Sequence, residues 1–327
     1  MKAIVCHRYG PPQDVLRFTD VDEPVVTDDD VLVRVRAASV NPADWHVVRG
    51  EPYIARLQVG LRRPSFRVPG SDVAGHVEAV GRNVTTLQPG DEVYASPFLH
   101  GFGAFAERAC VAERLVAPMP AGLSFEQAAA VPLAAATALQ ALRDHGRIEA
   151  GHEVMVIGAS GGVGTFAVQI AKSFGAAVTG VCSTGNVDMV RSLGADHVID
   201  YTTDDVTAGG HRYDLVLQAA GTLSPAACRR LLTPTGTLVQ ISGDSGGRWI
   251  GAVDRLVKAR LLAPFVSQTL VSFTVTPRTD DLQALTELVE AGDVTPVIDR
   301  TYSLSEVPEA LRYLETGHAR GKVVVTV

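Results

Sequence analysis

The chain has 327 residues, 46% hydrophobic and 20% charged, with 29 Lys and Arg against 36 Asp and Glu and a net charge of −7. These figures exclude a disordered chain and a coiled coil, allow one large domain or two ordinary ones, and leave no basic excess for a nucleic-acid partner. Four widely spaced cysteines (Cys6, Cys110, Cys182, Cys228) form no Cys-x-x-Cys pair, which argues against a disulfide scaffold or zinc knot and suits a reducing, cytoplasmic setting.

Met1 to Gly10 carries Lys2, His7 and Arg8 and no apolar core, so no export signal is expected. Val31 to Arg36 alternates apolar and polar residues, as a half-buried strand does. Further strands are expected over Gly70–Gly81 and Asp91–Ala95, the second after a Pro89-Gly90-Asp91 turn. Before them, the stretch from Arg49 to Arg67 holds five arginines with Tyr53 and Phe66. It reads chiefly as a solvated loop, with a loop for anionic or aromatic acceptors as the alternative. At Ser124-x-x-Gln127 a capping box opens an alanine-rich helix running towards Arg143.

From Glu153 strands and helices alternate. The strands are Val154–Ile157, Ala177–Cys182, His197–Asp200, Leu215–Gln218 and Thr237–Ser242, with helices such as Gly164–Phe174 and Val187–Leu193 between them. Such alternation predicts a doubly wound parallel α/β sheet. The uncharged run Val154 to Ala171 is 18 residues long. Its glycines make it a strand, a turn and a helix rather than a membrane span, and no membrane partner is expected. Leu270–Val275 suits an edge strand, within the chain or against a second copy. Asp280–Ala291 carries a leucine stripe and is closed by Gly292. Val297–Tyr302 and Lys322–Val327 read as strands, in a tail expected to pack back on the N-terminal region.

The strongest local signal is Gly158-Ala159-Ser160-Gly161-Gly162-Val163-Gly164, between a strand and a helix. Backbone N–H groups and the positive helix end in such a turn suit a pyrophosphate. Ala159 stands where the fingerprint Gly-x-Gly-x-x-Gly has its first glycine. At the end of the next strand an acid would hold the ribose 2′-OH of NAD. Cys182 fills that position, with Ser183 and Thr184 beside it. This favours NADP(H) over NAD(H), although no Lys or Arg follows until Arg191. Tyr201 would cover the adenosine side.

Gly151-His152 through Gly158–Gly164 to Gln169-x-x-Lys172 resembles the signature of the quinone oxidoreductase and zeta-crystallin family of medium-chain dehydrogenase/reductases. Val40-Asn41-Pro42-Ala43-Asp44, Pro69–Gly75, Pro89–Val93, Gly194-Ala195-Asp196, Val198–Tyr201 and Gly321–Val324 agree, and the likeness to the reticulon-4-interacting protein group extends over essentially the whole chain. The resemblance implies a GroES-like β-rich catalytic domain, residues 1–125 and 278–327, and a Rossmann cofactor-binding domain, residues 126–277. It implies a homodimer, and a nicotinamide pocket closed near Ser242 and Gly243. The zinc ligand positions of metal-dependent relatives read Asn41, Ser71 and Leu133, which cannot supply a thiolate and imidazole set, so no zinc is expected.

By the same resemblance Thr137 faces the nicotinamide, and Asn41 and Asp44 line the catalytic cleft. Asn41 is either a hydrogen-bond donor to a carbonyl or cofactor, or a turn residue before Pro42. Asp44 is an anchor for its loop before it is an acid. Trp45 and Tyr53 are candidates to stack on a flat substrate, or core residues. The expected activity is NADPH-dependent hydride transfer to a quinone or small electrophilic carbonyl. An enone or 2-alkenal reductase and a non-catalytic NADPH-binding regulatory protein are the alternatives.

Overall fold

The computed structural model describes residues 1–221, 223–241 and 266–327, and the chain divides into two compact units. The first unit comprises Met1–Ala136, Thr276–Glu290 and Pro296–Val327. Its strands β1 (Lys2–Cys6) and β2 (Leu16–Asp20) pair antiparallel. A larger mixed sheet runs in the order β14 (Ile298–Ser303), β15 (Lys322–Thr326), β3 (Asp30–Val40), β4 (Asp72–Val80), β5 (Glu92–Ala95) and β7 (Val116–Pro118), with β6 (Arg108–Ala112) also on β3. The closing strand β15 thus lies beside β3, with Val323 opposite Val40. Valines 323 to 325 are buried on both faces, as a strand between two neighbours requires.

The capping box at Ser124 is present: Gln127 N–H donates to Ser124 Oγ at 3.3 Å, and Ser124 N–H donates to Gln127 Oε1 at 3.0 Å. The helix it opens is short, Phe125–Ala129, and a second begins at Pro132, which has no N–H to continue the first. That second helix, Pro132–Leu139, widens into a π-helical stretch over Gln140–His145. The helix Phe125–Ala129 packs on β3 and β4, so the first unit extends to Ala136 rather than stopping at residue 125.

The second unit comprises Thr137–Val275 and Ala291–Thr295. Its sheet is wholly parallel, in the order β10 (His197–Asp200), β9 (Ala177–Cys182), β8 (Glu153–Ile157), β11 (Tyr213–Gln218), β12 (Leu232–Gln240) and β13 (Thr269–Ser272). This is the doubly wound order, with the reversal at β8 and β11. Met155, Ile157, Val181, Val216 and Leu238 build one core cluster. The helix Gly162–Ser173 covers the sheet with Phe166, Ala167, Val168 and Ile170 buried. The uncharged run from Val154 therefore resolves into β8, a turn and this helix; none of the described helices is long and apolar enough to cross a membrane. The returning segment Ala291–Thr295 is fastened to the same helix. Gln169 Nε2 donates to the Thr295 carbonyl at 3.1 Å, and Thr295 N–H donates to Gln169 Oε1 at 2.8 Å.

Candidate active site

In the first unit, the three positions that hold zinc ligands in metal-dependent relatives converge on two buried carboxylates. Asn41 N–H donates to Asp44 at 2.8 Å, and Asn41 Nδ2 donates to Asp72 at 2.9 Å. Ser71 Oγ donates to Asp44, and Leu133 N–H donates to Asp72 at 2.9 Å. Ser39 Oγ adds a bond to Asp72 at 2.8 Å. The Lys322 ammonium, 3% exposed, donates to Asn41 Oδ1 and lies 3.5 Å from Asp72. Local geometry explains how the groups meet. Asn41 is the N-cap of the helix Pro42–Arg49, Ser71 and Asp72 open β4, and Lys322 opens β15 after Gly321. Gly321 has φ 84°, and a Cβ there would lie 2.4 Å from the Val297 carbonyl oxygen.

An internal cation thus stands where a metal ligand set is missing, and among the described residues no cluster of His, Cys, Asp and Glu is able to hold a metal ion. Burial depresses the Lys322 ammonium, while Asp72 and Asp44 pull it back up. Burial raises the Asp44 carboxyl to about 7, against opposing hydrogen bonds from Ser71 and Asn41. An acid raised in this way binds its proton more tightly folded than unfolded. Its contribution to stability is complete below about pH 4 and is lost as the pH rises to about 7. Between pH 5.5 and 8 the wild type is expected to lose about 2 kcal/mol that Asp44→Asn retains. Urea unfolding of both proteins at the two pH values checks this; parallel profiles would show that Asp44 is not the titrating group.

In the second unit, the glycine turn is made by Gly158, with φ 86°. The Gly158 and Ala159 N–H groups both donate to the Val181 carbonyl, at 3.1 and 3.0 Å, so the turn is fastened to β9 and Ala159 is fully buried. Beyond it the surface opens. A Cβ on Gly161 would meet no atom closer than the Gly158 carbonyl oxygen at 3.5 Å. A Cβ on Gly164 would lie 2.0 Å from that same oxygen. The helix begins at Gly162, and its first bond is from Thr165 N–H to the Gly161 carbonyl at 2.9 Å. The N–H groups of Gly162, Val163 and Gly164 therefore precede the intrahelical ladder and suit a diphosphate.

Asn186 joins the turn to the end of β9, its Nδ2 donating to Ser160 Oγ at 3.2 Å and to Ser183 Oγ at 3.1 Å. Its Oδ1 is buried with no hydrogen-bond partner, an acceptor that a ribose hydroxyl would satisfy. Residues on this face thus fit a dinucleotide. No acid lies on β9 itself, but Asp200, at the end of β10, stands opposite Cys182. Hydrogen bonds from Thr184 and Thr202 hold its carboxyl below the usual range. Thr184 is therefore engaged by an acid on the neighbouring strand rather than on β9. Tyr201 follows, 57% exposed.

Thr137 is the one position of the helix Pro132–Leu139 that is not buried. Trp45, half-buried, stacks on His46 with ring centroids 3.6 Å apart. The Arg56 guanidinium lies over the Tyr53 ring at 4.5 Å and over the Tyr9 ring at the same distance. Asn41, Asp44, Trp45 and Tyr53 belong to the first unit, and Thr137, Ala159–Gly164, Ser183, Thr184 and Tyr201 to the second. Ser242 and Gly243 lie outside the described residues. Lys322, Asp72, Asn186 and Asp200 were missed. The signal for Lys322 was a single charge opening an otherwise valine-rich strand.

A mixed GroES-like unit and a parallel Rossmann unit on one chain define a medium-chain dehydrogenase/reductase. Residues 27–121 match the alcohol dehydrogenase GroES-like domain, and residues 193–325 match the zinc-binding dehydrogenase domain. The chain is 36% identical to the NAD(P)H oxidoreductase RTN4IP1 of mouse mitochondria, over 100% of this chain and 89% of that protein. It is also 36% identical to the NADPH-dependent alkenal/one oxidoreductase of Arabidopsis thaliana chloroplasts, over 99% of this chain and 79% of that one. A quinone oxidoreductase from Coxiella burnetii superposes with a TM-score of 0.87 at 30% identity, covering 100% of this chain and 99% of the other. The chain belongs to the zinc-independent quinone oxidoreductase family of the medium-chain dehydrogenase/reductases, and is an oxidoreductase.

Proposed function

We propose that the protein is an NADPH-dependent reductase that passes a hydride to a quinone or another small electrophilic carbonyl without zinc. The observation that carries this reading is the donor set at the ligand positions. Asn41, Ser71 and Leu133 are committed to Asp44, Asp72 and Lys322, none of which offers a thiolate or imidazole. Acceptors that take a hydride without Lewis-acid polarisation fit such a site. When bound, the reduced nicotinamide supplies the hydride, and the protein supplies position. Gly161 and the helix start at Gly162 receive the diphosphate. Ser160, Ser183 and Asn186 receive the ribose. Thr137 borders the nicotinamide. Asn41 and Asp44 act from the interior, holding the helix that carries Trp45. A cytoplasmic homodimer belongs to this reading, supported by four free cysteines and by β13, which ends its sheet among the described residues.

Steady-state NADPH oxidation in chelator, with a panel of quinones, 2-alkenals and alcohols, tests the activity. Quinones are expected to turn over, and primary alcohols are not expected to be oxidised with NADP. The name of the Arabidopsis relative favours alkenals as a second acceptor class. Tight NADPH binding with no turnover of any acceptor would instead support a regulatory role. For cofactor choice, fluorescence titration is expected to give tighter binding of NADPH than of NADH. Asp200→Asn is expected to widen that preference, because it removes a negative charge beside Thr184. Equal affinities in the wild type, or a preference unchanged by Asp200→Asn, would place the 2′-phosphate elsewhere.

A further inference from the structure

Exposed large apolar side chains gather in one part of the first unit. Leu57 is 74% exposed, Leu61 67%, Ile54 41% and Leu99 37%. Ile54, Leu57 and Leu61 ride on the short helical turns Tyr53–Ala55 and Arg56–Val59 and the residues that follow. Leu99 joins them across a cavity of about 110 Å³ that it shares with Gln58, Val59, Phe66 and Phe102. The floor is aromatic: Phe66 packs on Phe102 with centroids 4.7 Å apart, and Phe98 on Phe102 at 6.1 Å. Leu99 and Phe102 are both held in the left-handed region at φ 59°, an uncommon conformation for bulky residues.

The same segment is basic within an acidic chain. Arg49 is paired with Glu315, and Arg56 is enclosed by Tyr9 and Tyr53. Arg62, Arg63 and Arg67 are exposed, and among the described residues no carboxylate pairs with them. Leucines this exposed protrude rather than line a groove. Protruding apolar side chains with exposed arginines in the same segment match the boundary between anionic headgroups and acyl chains.

We propose that Ile54, Leu57, Leu61 and Leu99, with Arg62, Arg63 and Arg67, form a peripheral docking surface for an anionic lipid bilayer. The leucines enter the acyl boundary and the arginines meet the headgroups. No spanning segment is needed, so the reasoning that excluded a membrane helix does not bear on it. The proposal is independent of which acceptor the enzyme reduces.

Flotation of the full chain with vesicles tests it, using phosphatidylcholine alone and phosphatidylcholine mixed with phosphatidylglycerol. Binding is expected only to the mixed vesicles, and is expected to weaken as salt is raised. Leu57→Glu with Leu61→Glu is expected to abolish it. Arg62→Ala and Arg63→Ala are each expected to lower the partition coefficient about fivefold, and the corresponding lysine variants to restore it. Val25→Glu, at an apolar side chain 83% exposed elsewhere, is expected to bind as the wild type does. Absence of binding to the mixed vesicles at low salt would overturn the proposal. So would binding that survives the double leucine variant, or an equal loss in Val25→Glu. Concentration-dependent self-association abolished by the double variant, without vesicle binding, would overturn it too and make the surface an interface between copies.

Discussion

Replacing Lys322 by methionine is expected to destabilise the protein by about 3–5 kcal/mol, because it keeps the volume but strands a buried carboxylate. Asp72 is fully buried and would lose its only cation among the described residues, while Asn41 Oδ1 would lose its donor. The double variant Lys322→Met with Asp72→Asn removes both charges. The new amide at position 72 retains an oxygen for the Leu133 N–H, so the double variant is expected to recover at least half of the loss. Denaturant midpoints of the wild type, both single variants and the double variant measure the coupling. A Lys322→Met cost below about 1 kcal/mol would show that the ammonium does not neutralise this site.

Gly164→Val and Gly161→Val are expected to fail in different ways. At Gly164 any Cβ collides with the backbone of Gly158 and Ala159, at 2.0 and 2.8 Å, where the helix start is pressed against the end of β8. A loss of about 3 kcal/mol or more is expected, with the second unit unfolding first. At Gly161 the added atoms enter open space on the face assigned to the diphosphate. The fold should survive with its melting temperature nearly unchanged, and NADPH affinity should fall about tenfold or more. Calorimetry and nucleotide titration separate the two results. A Gly161→Val protein with undiminished NADPH affinity would remove the turn from the nucleotide site.

The features legible in the sequence are those encoded over short spans. The turn at Gly158–Gly164 was readable because a buried strand, the glycines and an amphipathic helix are contiguous. The parallel sheet was readable because each strand and helix repeats within a few tens of residues. Pro132 limited the alanine-rich helix, where composition suggested one continuous element; its missing N–H is a local signal that alanine content masked. The hairpin β1–β2 carried no clear alternation, and its edges are defined by pairing.

The candidate site was legible only in its local parts. Asn41 and Asp44 are three residues apart, so their N-cap pairing was within reach, as the expectation of a loop anchor shows. Asp72 and Lys322 lie in recognisable motifs, but a chemical role needs a partner and theirs lie 31 to 281 residues away. Asp200 escaped for a related reason. The fingerprint places its acid at the end of β9, whereas the register of β10 sets the Asp200 carboxyl beside the residues that follow Cys182. Sequence distance, more than residue chemistry, divided the predicted contacts from the missed ones.

The separation of 281 positions from Asn41 to Lys322 also sets an order of events on the ribosome. At about 5–20 residues per second, roughly 15–60 s pass between the emergence of the two partners. Throughout that interval the Ala37–Val40 end of the nascent β3 has one flank open, and Asp44 and Asp72 have no internal cation to meet. The parallel sheet is translated in full before β15 exists. The portion made first is therefore the portion completed last, and a holdase that shields β3 during synthesis would act on an unsealed edge rather than on an unfolded chain.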